Sequence, residues 1–394
     1  MKKLIALTFA MLFLGAGIAS ATDVSLTGGF HSGGTYHDNT AGTGTNTTAY
    51  GDYDGELSVN ADWQIDDSSS VHATIEMVDD TWADATNLNE SGGNTNATAT
   101  DLDDNIVVEK AYAAHTFGMG LKLDVGLMSA GTWATTFGDS GTEAYRIKAT
   151  MPMSFGAMIG IIEKPISATN PGESGVAETD ENVYALAFIT KFGDINVKPL
   201  FKYVDDQLNS ITTFAAVLGL DGSFGAISFE AEGNYINSDT ATADITTYGL
   251  YGSLSAVMDA LTITGLVAHT NYESATEAGA FGADFYYGGA QLLGDEFGVN
   301  GNVGNTCYAG KVSFAASEAL TVGAYLGYVS SGNDLAANNW NGGSAMELSA
   351  SGSYKITDNV TYSAYAAWAQ ASYGSGNTDP DAAYQAGHKL AFSF

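Results

Sequence analysis

Hydrophobic and polar residues alternate over short segments from one end of the chain to the other, the period-two signature of strands with one apolar and one polar face. Between Glu56 and Trp63, Leu57, Val59, Ala61 and Trp63 share one face while Glu56, Ser58, Asn60 and Asp62 share the other. A polar turn, Asp66-Asp67-Ser68-Ser69, follows, and Val71, Ala73, Ile75 and Met77 then run back opposite His72, Thr74 and Glu76. The pattern recurs at Leu121, Leu123, Val125 and Leu127, at Ile195, Val197, Pro199, Phe201 and Tyr203, and at Leu320, Val322, Ala324, Leu326 and Tyr328. Counting such segments predicts eighteen strands, at 23–36, 50–64, 70–79, 105–117, 121–129, 143–151, 155–164, 182–192, 195–205, 211–220, 224–237, 244–256, 261–272, 305–316, 319–330, 344–356, 360–373 and 384–394. The run 211–220 alternates poorly, so sixteen strands is the alternative.

A soluble β-sandwich would bury these apolar faces against each other, but two features favour a barrel with lipid outside. Connections alternate between tight turns (Phe117-Gly118-Met119-Gly120, Phe192-Gly193-Asp194, Thr357-Asp358-Asn359) and long polar loops (Asp80 to Asp104, Glu273 to Val303). Outer-membrane barrels have short periplasmic turns and long external loops in this order. Aromatic residues also stand near strand ends, as an interfacial girdle requires: Tyr36, Tyr50, Trp63, Tyr203, Tyr235, Tyr272, Tyr328, Tyr354 and Tyr373. The fold expected is all-β, a transmembrane antiparallel up-and-down barrel whose even strand number puts both termini on the periplasmic side.

Composition narrows the compartment. Lys2 and Lys3 precede an apolar run from Leu4 to Ile18 and the small-x-small sequence Ala19-Ser20-Ala21, the layout of a cleaved signal peptide. The expected organisation is thus a signal peptide at 1–21 and a single barrel domain at 22–394. After Ile18 no apolar run is long enough to span a bilayer as a helix, and mean hydropathy is zero. The 48 Gly and 5 Pro suit strands and turns better than a set of soluble domains. Cleavage removes two basic charges from a chain already at −32, which excludes nucleic acid as a partner, because phosphate binding needs basic residues. With one cysteine, Cys307, no intrachain disulfide forms; it reads as a small packing residue in a strand.

The end of the chain, Tyr384 to Phe394, alternates to a terminal Phe with Leu390, Phe392 and Phe394 in phase; His388 departs from the pattern, since its parity points toward lipid. In the third long loop, Ser129-Ala130-Gly131-Thr132-Trp133-Ala134-Thr135-Thr136-Phe137-Gly138-Asp139-Ser140 follows the strand ending at Met128. Together these features resemble the Gram-negative outer-membrane porin superfamily, of the general diffusion type, over the whole mature chain. The resemblance implies passive diffusion of small hydrophilic solutes and ions through a polar lumen in the cell outer membrane. It makes Tyr384, Leu390, Phe392 and Phe394 an insertion signal read by the barrel-assembly machinery. It folds the third loop inward as an eyelet, Phe137-Gly138-Asp139 resembling a shortened eyelet sequence. It also implies a homotrimer, with the loop 80–104 latching onto a neighbour. Eighteen strands fit sugar-specific porins better, whose aromatic file Trp133, Phe137 and Tyr112 could begin, although packing roles suit these three better.

In such porins, acids on the eyelet face a basic cluster on the wall; here the acids are Asp139 and Glu143. Parity supplies the wall. Tyr145, Ile147 and Ala149 form the lipid-facing set of their strand, so Arg146, the only arginine, and Lys148 point inward, as do Lys198, Lys202 and Lys110. Any charge on a barrel strand must face the lumen, since lipid-facing Lys or Arg costs about 2–4 kcal/mol at the midplane, so inward parity alone does not make a filter. The excess of acids predicts a preference for cations.

Other chemistry is set aside. The acidic stretches Asp79-Asp80, Asp101-Asp103-Asp104, Asp205-Asp206 and Asp379-Asp381 offer oxygen ligands suited to Ca²⁺, but form no twelve-residue EF-type loop. They read as solvated external charge, bridged by divalent ions to lipopolysaccharide, and no cofactor is expected. None of the six histidines (His31, His37, His72, His115, His269, His388) has a recognisable nucleophile context, so no enzyme is expected. The rival readings are a substrate-selective, sugar-type channel and a plugged barrel serving as a surface adhesin or structural protein.

Overall fold

A computed structural model describes residues 23–38, 49–81, 106–129, 133–135, 137, 143–165, 181–207, 210–240, 244–271, 289–293, 304–331, 342–374 and 377–394. The proposed signal peptide, Asp139 and nearly all of the loop 80–104 fall outside them. The strands are β1 (Asp23–Asp38), β2 (Tyr50–Asp66), β3 (Ser69–Thr81), β4 (Ile106–Thr116), β5 (Lys122–Ser129), β6 (Glu143–Met153), β7 (Gly156–Pro165), β8 (Glu181–Phe192) and β9 (Ile195–Asp206). They continue as β10 (Ile211–Phe224), β11 (Ile227–Asp239), β12 (Asp244–Met258), β13 (Leu261–Asn271), β14 (Asn305–Ala315), β15 (Leu320–Ser331), β16 (Ser344–Thr357), β17 (Val360–Ser372) and β18 (Ala383–Ser393).

Each strand pairs antiparallel with the next, and β18 pairs with β1 from Gly29↔Ser393 to Asp38↔Tyr384, closing an eighteen-stranded sheet on itself. Closure satisfies every edge, which a barrel in hydrocarbon requires because no water is present to pair exposed backbone groups. The last residue extends the seam: Gly28 and Phe394 exchange backbone hydrogen bonds of 2.8 and 3.0 Å.

The strand count settles on eighteen, and the poorly alternating run belongs to a full strand, β10. Its outward face is regular, with Phe214 and Leu218 exposed, but its inward face carries Ala215, Val217 and Gly219. That face is apolar because a loop covers it, as described below. The turn after β10 lies at 225–226, so β11 begins at Ile227 rather than near 224.

Outward positions are large and apolar along the wall, for example Leu254, Leu326 and Leu348, each more than half exposed. Tyr36, Tyr203, Tyr235, Tyr328 and Tyr354 stand exposed among them, as a girdle would. Tyr373 does not join it. It lies just past β17, its backbone N–H donating to Asp379 at 2.7 Å, and its ring packs against the buried interior cluster. No helix among the described residues is long and apolar enough to cross a membrane.

Candidate functional site

Two segments of the long connections lie inside the barrel, and buried carboxylates on the wall hold both. The third long connection, between β5 and β6, crosses the inner wall roughly one strand per residue. The indole N–H of Trp133 donates to the Lys198 carbonyl on β9 at 3.0 Å. Ala134 rests on Gly219 of β10, where a side-chain Cβ would collide with it. The backbone N–H and the hydroxyl of Thr135 both donate to Glu232 of β11, at 2.6 and 2.7 Å. Phe137, fully buried, stacks on Tyr251 of β12 with ring centroids 5.7 Å apart.

The connection between β13 and β14 supplies the second segment, 289–293. The backbone N–H groups of Gln291, Leu292 and Leu293 converge on the fully buried carboxylate of Glu347 on β16, at 2.9, 2.8 and 3.1 Å. Successive backbone donors around an anion form a nest, and a desolvated carboxylate is tolerable only when its oxygens are paired in this way. Leu292 and Leu293 are fully buried in one cluster with Phe137, Tyr251, Cys307, Tyr325 and Val329, beside the inward alanines of β16, β17 and β18. The two inward segments therefore join one cluster, and this apolar core occupies part of the lumen rather than the space between layers.

Glu232 is satisfied on its other oxygen by the Asn234 amide at 2.8 Å. Close by, Glu230 accepts from Tyr251 at 3.0 Å and from Ser253 at 3.1 Å.

The residues singled out from sequence divide by partner. Arg146 is buried and committed: its guanidinium forms an ion pair with Glu163 across β6 and β7, and Nη1 donates to the Ser129 carbonyl at 2.8 Å. It ties β5, β6 and β7 together. Lys148, two residues on, has the same inward parity and is half-buried. Lys198 pairs with Asp221 of β10 at 2.6 Å beneath the third loop, and Lys202 faces inward above it near Glu181 of β8. Lys110 faces inward opposite Thr74; the register shift between Thr74 and Ile75 leaves Glu109 as an extra residue and sets that parity. Glu143 is the first residue of β6, opposite Ser129, and shares the outward parity of Tyr145 and Ile147.

Trp133 and Phe137 pin the third loop to the wall. Tyr112 lies elsewhere, stacked on His72 at 4.6 Å, and His72 in turn contacts Asp62. Tyr384, Phe392 and Phe394 face outward on the closing strand, Phe392 against Phe30 at 6.1 Å, with Leu390 on the same parity. His388 also faces outward, edge-on to Tyr53 and tilted against Tyr362, about 6 Å from each. Among the described residues no group of three or more His, Cys, Asp or Glu is placed to hold a metal ion.

Sequence reasoning passed over Glu232, Glu347 and the segment 289–293. The signals were modest. Gln291-Leu292-Leu293 is an apolar interruption in a polar loop, and Glu347 is a lone acid on the inward face of a strand whose inward neighbours are Ala345 and Ser349.

No protein-family model matches the chain, and no curated protein matches it in sequence. Its backbone is similar to solved outer-membrane barrels. The TM-score is 0.64 to Pseudomonas aeruginosa OccK3 (OpdO), at 8% identity over 97% of this chain and 99% of that one. It is 0.62 to a BenF-like porin from Pseudomonas fluorescens Pf-5, at 9% identity over 95% and 99%. It is 0.60 to Pseudomonas aeruginosa OpdK with vanillate, at 11% identity over 94% and 98%. At these identities the likeness establishes the fold: this chain has the closed antiparallel barrel of porin structures.

Proposed function

We propose that the chain is an outer-membrane channel of a Gram-negative bacterium, through which small hydrophilic solutes diffuse passively. One observation carries the reading: a closed barrel has an apolar exterior and many polar and charged inward positions, and loops pinned to the inner wall narrow the lumen while leaving open space of about 580 Å³ beside the segment 289–293. A constriction built on buried carboxylates holds its aperture without a bound ligand, and passive flow requires no catalytic group. Incorporation into liposomes tests the idea. Swelling rates should fall smoothly as neutral sugars grow in size, and no swelling with any solute from a correctly folded barrel would refute it.

The finer prediction is a preference for cations. The formal charge is −32, and Asp54, Glu56, Asp62 and Glu76 have inward parity on β2 and β3, so cations should concentrate at that wall. The reversal potential across a KCl gradient measures this directly. The outward phase of the C-terminal strand at the closing seam supports its reading as an insertion signal.

A second reading, a substrate-selective channel, draws support from the paired inward segments, which narrow the lumen from two sides. OpdK, one of the similar barrels, was solved with vanillate. Saturable block of current by one solute among several of similar size would favour it over general diffusion.

A further inference from the structure

Beside the segment 289–293, on the wall formed by β14 to β18 and reaching β1, the lumen opens into the cavity of about 580 Å³. The lining is built of donors. Lys311 of β14 lies in register with Tyr325 of β15, and Tyr325 with Ser349 of β16. Along a parallel row, Ser353 is in register with Ser363 and Ser363 with Lys389 of β18. Ser351 and Tyr365 stand between the rows.

Glycines make the room. Tyr325 lies along its own strand over Gly327, and Tyr365 lies over Gly387, where a Cβ at either site would strike the ring. Laid against the wall in this way, the tyrosines leave space over the serine rows. At Gly33, where β1 meets β18, no side chain projects between Lys389 and Asp54.

The cavity brings two unpaired lysines to one stretch of wall. Arg146, Lys122, Lys198 and Lys355 each pair with a carboxylate, whereas Lys311 and Lys389, like Lys110, Lys148 and Lys202 elsewhere on the inward face, have none within ion-pair distance among the described residues. Both are exposed to the cavity. Two ammonium groups flanking hydroxyl rows, with Asp54 the only carboxylate lining the cavity among the described residues, call for an anion. Lysine acts as a point charge and lacks the planar fork that matches a carboxylate, so a tetrahedral oxyanion fits the lysines better. The cavity is larger than a bare phosphate needs, and hydroxyl groups on the ligand would match the serine rows.

On these grounds we propose that this cavity is a subsite for a phosphorylated polyol lying between Lys311 and Lys389, whose ammonium groups attract its phosphate from either end while Ser349, Ser351 and Ser363 meet its hydroxyl groups. The assignment rests on the channel reading for its purpose, but binding can be measured without conduction.

Calorimetric titration of the full-length, detergent-solubilised, refolded barrel with glucose 6-phosphate, inorganic phosphate and glucose is the test. Saturable binding of the ester is expected, at least tenfold weaker for inorganic phosphate and undetectable for glucose. The single variants Lys311→Gln and Lys389→Gln should each weaken it, and the double variant should weaken it by tenfold or more. Lys355→Gln, which removes the same charge at the β16–β17 turn, should not. Heat-modifiable gel mobility verifies folding of each variant, and the single variants stand in should the double fail to fold. No saturable binding of the ester would overturn the proposal, as would equal binding of glucose or full affinity in folded lysine variants. Intact binding by a barrel that conducts nothing would sink the channel reading and leave the site; conduction without ester binding would do the reverse.

Discussion

Glu347 shows how one buried side chain sets the shape of the lumen. Its carboxylate is the shared acceptor for three consecutive backbone donors, and hydrogen bonds to a charged group are worth about 1.5–3 kcal/mol each. Removing it strands those donors in an apolar cluster, a cost the segment escapes only by leaving the wall. Glu347→Ala should therefore raise single-channel conductance and lower the thermal midpoint of the folded barrel, with Glu347→Gln intermediate; an unchanged conductance would show that the segment is held by Leu292 and Leu293 alone. Gly219 is the counterpart beneath the third loop. Gly219→Leu forces Ala134 off β10 and should change the current with little effect on barrel assembly, read by heat-modifiable mobility. At this scale the sequence carried direction but not partnership. Parity placed Arg146, Lys148 and Lys198 inward, because a charge on a lipid-facing position is costly. That Arg146 meets Glu163, and that Glu232 meets Thr135, depends on which strands and loops close the barrel around them, and alternation holds no record of that.

Among the elements, strands were legible and inward loops only partly so. All eighteen strands follow the period-two pattern because one face meets lipid and the other water, and the pattern fades where that contrast fails. β10 alternates poorly since its inward face carries Ala215, Val217 and Gly219, the last of them directly under Ala134 of the third loop. On β14 to β18 the same cause replaces polar lumenal residues with Cys307, Val329, Ala345, Ala367 and Ala369 beneath the segment 289–293. An apolar inner face on a barrel strand thus marks the footprint of a loop, and reading it that way would have located both. The reading predicts that exchanging 133–137 for Gly-Ser residues of equal number frees the third loop. Conductance should then rise and fluctuate, while β-sheet circular dichroism stays unchanged. A collapse of the sheet signal would mean instead that the loop is part of the barrel's own stability.

The whole molecule is organised by the solvent on each side of one sheet. Leu348 faces out and Ser349 faces in on adjacent positions of β16, so their substitution separates lipid from water. Leu348→Arg should cost about 2–4 kcal/mol near the bilayer midplane and depress insertion, whereas Ser349→Arg should insert normally and narrow the lumen. Equal insertion of the two would deny the orientation of the sheet. The aperture itself, the central claim, is read most directly in a planar bilayer. With a KCl gradient across it, the refolded protein should give steady conductance steps and a reversal potential on the cation side, with larger steps from Glu347→Ala. A folded barrel that inserts yet stays silent, with Glu347→Ala equally silent, would contradict the account and make the lumen a plug rather than a passage.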